Sequence, residues 1–482
     1  MQSGRLDDAT ALAQKVASGA VSASELLDDA LARVSALNPH LNAVVNLQEE
    51  AARAAIRAGL PDGPFKGVPF LLKDLGAEAI DFPGDNGSNL LRNTRYSYDS
   101  ELFIRMRATG VVTFGRTTSP EGGIGPVTEA AVYGGPTRNP WDLSRTSGGS
   151  SGGAGAAVAA GIIPMAHGSD GGGSIRIPAS SCGLFGFKAT RARFPDGPAA
   201  GEGWAGMAIE GFLSRSVRDN ATMMDACAGP DAGAPYAAPA METSYSAAIA
   251  RPPRRLRIGV CDTTFTGTPI HPDCRTAVEN TARLLETLGH EVTPTCPSAD
   301  HMGMMRAWTQ IVACGTALSV RSTLRRLGRD LVPGDLQGVS RAAIRYASAI
   351  SGADYLQAVE AVHSYGREMA AAFADYDILL SATLAEPPAK VGRFTHDRDD
   401  YEAYRIGAGG VFEYSPFCAT FNASGQPAAT VPMNWNAQGL PIGVHLAAPF
   451  GQDATLIALC AECEQAQPWA QRLPPMTTEI LD

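Results

Sequence analysis

Short apolar segments alternate with helical stretches through much of the chain. The strand-like segments are RLRIGVCDT, HEVTPTC, DILLSATL, PAATVPM and PIGVHLAAP, and the helical stretch DCRTAVENTARLLETLG separates the first two. Two earlier segments, GVPFLLKD (67–74) and VVTFGRT (111–117), are equally apolar and are bounded by glycine and proline. Continuous apolar runs of this length are typical of strands that are buried on both faces. The alternation therefore predicts an α/β architecture around a mostly buried sheet.

The first part of the chain is predicted to be helical. Residues 6–37 show helical periodicity that is interrupted at Gly19, with Ser22 and Ser24 as candidate N-caps and Pro39 as the expected end. A Pro/Ala-rich segment, residues 231–253, is the best candidate for a linker or surface excursion. We therefore expect one domain over residues 1–482. Its parts are a helical region (1–60), a region of catalytic motifs (61–230), the surface segment (231–253) and the remainder of the α/β domain (254–482).

The charge balance argues against several classes of partner. The 482 residues include 39 Lys and Arg against 49 Asp and Glu, a net charge of -10, which repels phosphate backbones and anionic lipids. The N-terminal MQSGRLDDAT lacks the pattern of a secretory signal, and the apolar stretch near residues 154–166 is too short to span a bilayer. We therefore expect a cytoplasmic protein that binds neither nucleic acid nor membranes.

Cysteine and histidine give no sign of a metal centre. The nine cysteines are odd in number and lack the spacing of a disulfide framework, and the eight histidines are dispersed. Cys460 and Cys463 form a C-x-x-C pair, but no second pair completes a zinc site, so we expect both thiols to pack within a helix. The sequence predicts no metal and no cofactor.

Two glycine-framed serine clusters mark residues 144–198: S-G-G-S-S-G-G at 147–153 and G-S-D-G-G-G-S at 168–174. The first could be a phosphate loop, but no lysine follows in the required order. It also contains G-x-S-x-G around Ser151, as in the nucleophile elbow of α/β-hydrolases. An elbow needs a strand directly before it, whereas TRNPWDLSRTSG is polar and rich in turn residues. A third interpretation takes both clusters together with Lys73, near the end of GVPFLLKD.

In this combination the chain resembles the amidase signature family. The family pattern is a lysine at the end of an apolar strand, a G-G-S-S-G-G loop and then a G-S-D-x-G-G-S-I-R-x-P-A loop. This chain carries Lys73 in GVPFLLKD, Ser150 in GGSSGG and Ser174 in GSDGGGSIRIPAS. The likeness extends through TRNPWD, GFLSRSVRD, FNASGQPA and GLPIGV. It implies a large twisted mixed β-sheet covered by helices on both faces, with no metal or cofactor.

The resemblance also implies a role for each of these residues. Ser174 would attack the acyl carbon, Ser150 would relay protons and Lys73 would be the base, with a cis peptide bond between Gly149 and Ser150. A lysine serves as a base only when it is neutral, and burial lowers its pKa because the charged form loses hydration. Taken singly, Lys73 would be a solvated strand-end charge, and both serines would be loop residues bonded to the backbone.

The glycines before Ser174 are predicted to form an oxyanion hole. Because they lack side chains, Gly171, Gly172 and Gly173 leave their amides free to converge, with that of Ser174, on the developing oxyanion. Other residues of the two loops are expected to support the site. Asp170 and Arg176 bracket the nucleophile and would support its loop, with an exposed ion pair as the alternative, and Ser151 would cap or bond locally. These supporting residues are Gly149, Ser151, Asp170 and Arg176.

The substrate class depends on residues outside these motifs. The segments TRARFPDGPAAGEG and EGFLSRSVRD look more like those of stand-alone hydrolases than those of the glutaminase subunit of tRNA-dependent amidotransferases. The likeness is greatest to the cyclic-dimer hydrolases of nylon-oligomer degraders and to urethane-cleaving relatives. On this resemblance Cys314 would line the pocket, whereas Ile124 stands where cyclic-dimer hydrolases carry an asparagine. Trp308 and Phe412 are further candidates for the pocket wall.

We therefore predict a serine hydrolase that cleaves amide, anilide or carbamate bonds of small neutral substrates, as a monomer or homodimer. One alternative is hydrolysis of cyclic or linear 6-aminohexanoate oligomers. An alternative of another class is a glutaminase subunit that hands ammonia to a partner protein.

Overall fold

The computed structural model describes residues 6–481; residues 1–5, which begin the expected helical part and the segment MQSGRLDDAT, and residue 482 lie outside it. The helices of the described chain are α1 (Ala9–Ala17), α2 (Ala23–Leu41), α3 (Glu49–Ala58), α4 (Glu101–Ala108), α5 (Gly152–Ala159), α6 (Arg176–Cys182), α7 (Val217–Cys227), α8 (Tyr245–Ala248), α9 (Pro272–Thr287), α10 (His301–Leu327), α11 (Gly338–Ser348), α12 (Gly352–Ala372), α13 (Tyr401–Ile406), α14 (Val411–Tyr414), α15 (Cys418–Ser424), α16 (Asp453–Ala466) and α17 (Pro475–Leu481). The strands are β1 (Val44–Val45), β2 (Pro69–Lys73), β3 (Val112–Thr117), β4 (Arg138–Asn139), β5 (Asp142–Thr146), β6 (Met165–Asp170), β7 (Phe185–Lys188), β8 (Ile209–Ser214), β9 (Arg257–Val260), β10 (Glu291–Pro294), β11 (Ile378–Ala382), β12 (Ala428–Trp435) and β13 (Pro441–Ala447).

Eight strands form one mixed sheet in the order β10-β9-β11-β13-β12-β7-β8-β6. Strand β9 pairs in parallel with β10 and β11. The other neighbouring strands, from β11 to β6, pair antiparallel. Strands β7, β11 and β13 are buried along their whole length. The predicted α/β class with a large mixed sheet is confirmed.

Side chains that alternate along the strands enter two separate cores. Met165 of β6 and Phe212 of β8 lie in one core, which includes buried residues of α7 and α16. The next residues along the chain, Ala166 and Leu213, lie in a second core with the Ala-rich helix α5. Helices therefore cover both faces of this end of the sheet, as predicted.

The two early strand-like segments form a smaller, separate sheet. Strand β2 pairs in parallel with β3, and β1 pairs antiparallel with β3. The pattern of apolar segments did not indicate that these strands are separate from the eight-stranded sheet. Strand β2 nevertheless lies against β6, the edge strand of the large sheet. This contact brings Lys73, the last residue of β2, next to β6.

Ser22, rather than Ser24, is the N-cap of helix α2. The hydroxyl of Ser22 accepts the N–H of Glu25, and the carboxylate of Glu25 accepts the N–H of Ser22. Pro39 was expected to end the helix, and this prediction is wrong, because the helix continues to Leu41. Pro39 lies in the last turn, where its missing N–H costs a single helical hydrogen bond. The helix ends at Asn42, which has a left-handed backbone (φ 50°).

The Pro/Ala-rich segment 231–253 contains one short helix, α8. Tyr245 in this helix is buried, and its hydroxyl lies 3.2 Å from a carboxylate oxygen of Asp453 at the start of α16. The segment is therefore anchored to the body of the protein at that point. Cys460 and Cys463 are buried within α16.

None of the helices within residues 6–481 is long and apolar enough to cross a membrane. The same residues contain no group of three or more His, Cys, Asp or Glu side chains arranged to hold a metal ion.

Candidate active site

Lys73 is completely buried at the end of β2 and contacts two serines. Its Nζ lies 2.7 Å from the Oγ of Ser150 and 2.9 Å from the Oγ of Ser169. Burial lowers the pKa of Lys73 to about 7, although the charges of Glu210 and Asp170 oppose this shift. A large fraction of the amine is therefore neutral at neutral pH and able to accept a proton.

The backbone of Lys73 is held by a histidine–glutamate pair that the sequence did not reveal. The N–H of Lys73 donates to Nδ1 of His167 over 3.2 Å, and Nε2 of His167 lies 2.8 Å from a carboxylate oxygen of Glu210. His167 is on β6 and Glu210 is on β8. These contacts attach the small sheet to the large one at the position of the lysine.

Ser150 lies in the loop between β5 and α5, and its peptide bond to Gly149 is cis. A Cβ atom on Gly149 would lie 2.6 Å from the backbone of Val127, so the loop requires glycine there. The next residue, Ser151, donates its N–H to the carbonyl oxygen of Ser174 over 3.1 Å. Its hydroxyl lies 3.3 Å from backbone atoms of Ser169. Ser151 therefore joins the two serine loops.

Ser174 precedes α6 and is 9% exposed, at the boundary between two cavities. One is an open cleft of about 640 Å³, which also exposes Ser150 and Ser169. The other is a small cavity of about 30 Å³. Ser174, Gly123 and Trp204 line both of them. The nucleophile predicted from the sequence is thus accessible from two sides.

Bulky side chains close over the glycines before Ser174. A Cβ atom would lie 2.5 Å from the ring of Trp204 at Gly171, 2.9 Å from the ring of Trp308 at Gly172 and 2.6 Å from Cys418 at Gly173. Distances below 3.0 Å are too short for real Cβ contacts. The loop therefore needs glycine at all three positions for packing as well as for access to the backbone amides.

The backbone amides of this loop are not all available for an oxyanion. The N–H of Gly173 donates to a carboxylate oxygen of Asp170 over 2.7 Å, so the structure differs here from the predicted oxyanion hole. Within residues 6–481, no acceptor is found for the amides of Gly171, Gly172 and Ser174. The carbonyl oxygen of Gly171 is fixed by the indole N–H of Trp308 over 3.0 Å. These three amides are therefore unpaired within the described chain, whereas that of Gly173 is not.

Asp170 and Arg176 form a buried ion pair beneath the loop, not an exposed one. Both side chains are fully buried, and Arg176 donates to the two carboxylate oxygens from Nε at 2.9 Å and from Nη2 at 2.8 Å. Asn422 bridges the pair, because its amide donates to Asp170 and its oxygen accepts from Arg176. Burial alone would raise the pKa of Asp170, but Arg176 and Asn422 hold it below its ordinary value.

The four pocket residues expected from the sequence have different surroundings. Trp308 and Phe412 line the small cavity, where their rings meet edge to face at 5.4 Å. Ile124 is buried in a core with Val127 and lines neither cavity. Cys314 lies on α10 beside Gly315, which lines the cleft, but its own side chain lines a different surface depression. The structure thus brings two of the four residues to Ser174.

The open cleft is lined by apolar, polar and charged residues. Its apolar and charged lining residues include Leu75, Leu90, Trp204 and Val320, with Glu78, Glu210, Arg95 and Arg326. A cleft of this volume is in the range of small-molecule sites.

A model of the amidase family matches residues 25–457. The chain belongs to the amidase family. The 6-aminohexanoate-cyclic-dimer hydrolase of Paenarthrobacter ureafaciens is 36% identical over 481 residues, which cover 97% of this chain and 96% of that protein. This relative is similar over almost its entire length, and the family and enzyme class predicted from the sequence are confirmed.

Solved structures of amidase-family proteins match the fold closely. A 6-aminohexanoate cyclic dimer hydrolase complexed with substrate superimposes with a TM-score of 0.92 at 34% identity, covering 98% of this chain and 99% of that one. A bacterial aryl acylamidase of the amidase signature family superimposes with a TM-score of 0.86 at 29% identity, covering 98% of each chain.

Proposed function

We propose that this protein hydrolyses the carbon–nitrogen acyl bond of small neutral amides, anilides or carbamates, with Ser174 as nucleophile, Ser150 as proton relay and Lys73 as base. The observation that carries the proposal is the buried contact of 2.7 Å between Lys73 Nζ and Ser150 Oγ, in a cleft that also exposes Ser174. A serine hydroxyl becomes a good nucleophile only when a neighbouring base takes its proton.

Acylation follows from this geometry. Ser174 Oγ attacks the acyl carbon, while its proton passes to Ser150 and a proton of Ser150 passes to neutral Lys73. The C–N bond then breaks, the relay returns a proton to the leaving nitrogen, and an ester remains on Ser174. Water attacks that ester with the same relay and releases the acid. Lys73 acts as base and as acid in turn, which suits a pKa of about 7.

The unpaired amides of Gly171, Gly172 and Ser174 supply the oxyanion stabilisation. They are fixed before substrate arrives, because aromatic rings and the Asp170–Arg176 pair hold the loop. Preorganised donors of this kind each contribute on the order of 3 kcal/mol to transition-state stabilisation.

The proposed substrates are supported by the two kinds of relative. One is named for hydrolysis of a cyclic amide dimer and another is an aryl acylamidase. A second candidate function is therefore hydrolysis of 6-aminohexanoate oligomers, favoured by the close match to the substrate-bound structure. We do not expect the cyclic dimer to be the best substrate, because Ile124 has no side-chain amide and is buried in the core.

We also propose that the enzyme acts in the cytoplasm as a monomer or homodimer, without a nucleic-acid partner. The net charge of -10 and the nine cysteines without disulfide-framework spacing support this.

The test is a matched panel of anilides, aliphatic amides, carbamates, esters and glutamine with the purified protein. We expect neutral anilides, amides or carbamates to be cleaved at least about tenfold more efficiently than glutamine, a difference of about 1.4 kcal/mol. Ser174→Ala should abolish hydrolysis and labelling by a fluorophosphonate, while Ser319→Ala, elsewhere in the cleft, should retain both. Glutamine as the best substrate, or continued labelling of Ser174→Ala at the active site, would contradict the proposal.

A further inference from the structure

The small cavity beside Ser174 is lined by a buried cation that has no counter-ion within residues 6–481. Arg405 of α13 is 2% exposed and lines this cavity together with Ser174 and Gly172. Its Nε and Nη2 atoms are buried and have no hydrogen-bond partner among the described residues. Because burying a charge without a partner is costly, these two nitrogens mark a position where an acceptor is missing.

Three aromatic rings surround the guanidinium of Arg405, and the Nε and Nη2 atoms have no acceptor among the described residues. The guanidinium carbon lies 4.8 Å from the ring centroid of Trp308, 5.3 Å from that of Tyr401 and 5.4 Å from that of Tyr404. Ring faces attract a cation, but they leave the in-plane N–H groups free. The aromatic residues therefore hold the guanidinium in place and keep two of its donors unused.

A second unpaired group lines the same cavity. The hydroxyl of Ser415 is buried and has no hydrogen-bond partner in the described chain, and Ser415 contributes to the cavity wall near Arg405. Nearby His396 is neutral at physiological pH, because burial and then the charge of Arg405 lower its pKa to about 4. The cavity thus presents one fixed positive charge and a hydroxyl next to the nucleophile.

We infer that this cavity is an acyl-group site in which Arg405 binds a carboxylate at the far end of a short acyl chain. Nε and Nη2 lie on one edge of the planar guanidinium, an arrangement that matches the two oxygens of a carboxylate. A cavity of about 30 Å³ has room for about two water molecules, or for one carboxylate that displaces them. The leaving amine then occupies the open cleft on the other side of Ser174.

The inference rests on the proposed function and goes beyond it, because it adds one class of charged acyl group to the neutral substrates. The substrates would be monoamides of short dicarboxylic acids, such as malonic or succinic acid. Water supplies an oxygen and two hydrogens, the C–N bond breaks, and the products are the dicarboxylate and the free amine.

The experiment compares matched anilides that differ only at the end of the acyl chain. One member of each pair ends in a carboxylate and the other in the isosteric, neutral carboxamide. For the wild-type enzyme we expect kcat/KM to be at least about tenfold higher for the carboxylate, at the chain length that reaches Arg405. In Arg405→Met this ratio should fall to about one or below, and in Arg405→Lys it should be intermediate, since a charge without the planar fork remains.

The matched control is Arg345→Met, because Arg345 is exposed on α11 and pairs with exposed Asp399; it should keep the wild-type ratio. If Arg405→Met does not fold, inhibition of the wild-type enzyme provides the test. Malonate or succinate should then inhibit hydrolysis of a neutral anilide at concentrations at least about tenfold lower than the corresponding diamide.

A ratio near one for the wild-type enzyme at every chain length, or an unchanged ratio in Arg405→Met, would overturn the inference and leave Arg405 as a structural residue. A wild-type protein that cleaves no amide would overturn the proposed function instead. In that case the cavity is tested by binding to Ser174→Ala. A larger rise in melting temperature with malonate or succinate than with the diamide would support the inference, and equal shifts would overturn it.

Discussion

The hydroxyl of Ser169 lies 2.9 Å from the Nζ of Lys73, so this buried amine has two serine partners rather than one. Ser169→Ala removes the partner that does not take part in the proposed relay and leaves Lys73 free to turn away from Ser150. Because leaving a buried polar group without its partner costs about 1 to 3 kcal/mol, we expect kcat to fall by about 10- to 100-fold. KM should change little, since Ser169 positions the base. Steady-state kinetics decide this, and a wild-type kcat would show that Ser150 alone holds the lysine.

The activity should rise with pH as Lys73 loses its proton. Because the proposed base is the neutral amine, kcat/KM should increase about tenfold per pH unit below the pKa of Lys73, which is about 7, and then level off. The charge of Glu210 raises this pKa, so Glu210→Gln should lower it and move the midpoint of the profile to lower pH. Glu202→Gln, at an exposed position, should leave the midpoint unchanged. A shift to higher pH in Glu210→Gln would contradict the assignment of Lys73 as base.

The contact between Trp308 and Gly172 predicts a sharp effect of one methyl group. In Gly172→Ala the new Cβ would lie 2.9 Å from the Trp308 ring, so the loop must shift and its amides lose their alignment. We expect kcat to fall by about 100-fold or more, the typical cost of losing one oxyanion donor. Gly352→Ala, where a Cβ meets open space, serves as the control and should retain activity. Wild-type kinetics in Gly172→Ala would show that its amide takes no part in the reaction.

Asp170 should be needed for stability as well as for activity. Asp170→Asn leaves Arg176 buried without its carboxylate, and such losses typically cost about 3 to 5 kcal/mol. We expect the free energy of unfolding in urea at neutral pH to fall by about that amount. The pKa of Asp170 is held low in the folded protein, so its contribution is present above the ordinary pKa of an aspartate and is lost only as pH falls below it. Asp399→Asn, in an exposed pair, should change stability by less than about 1 kcal/mol.

The sequence predicted those parts of the site that lie within short motifs. Ser150, Ser174 and the three glycines are close together in the chain, and Lys73 stands at the end of an apolar strand. Ser169 could have been included, because it belongs to the same GSDGGGS motif as the nucleophile. The division of the strands into two sheets could not be predicted, since apolar runs do not encode which neighbours they pair with.

The residues around the small cavity depend on tertiary contacts between distant segments. Arg405, Ser415 and Trp308 belong to three separate helices or connections and meet only after folding. Cys314 shows that the position along a helix also matters. Its neighbour on α10, Gly315, lines the cleft, whereas Cys314 lines a neighbouring depression. A helix turns by about 100° per residue, so a resemblance between segments does not fix the direction of one side chain.

Lys73 and Ser174 are carried by segments of two different sheets, since Lys73 ends β2 of the small sheet and Ser174 follows β6 of the large one. The β2–β6 contact is made without a shared strand ladder, and His167 holds the lysine backbone across it by one bond of 3.2 Å. Side chains of β2 enter both hydrophobic cores, Phe70 and Leu72 in one and Leu71 in the other, so packing rather than a strand ladder keeps the amine next to its serine, and a small loosening of that packing would separate the two. On gradual heating, turnover should therefore disappear at a lower temperature than the far-ultraviolet circular dichroism signal of the helices.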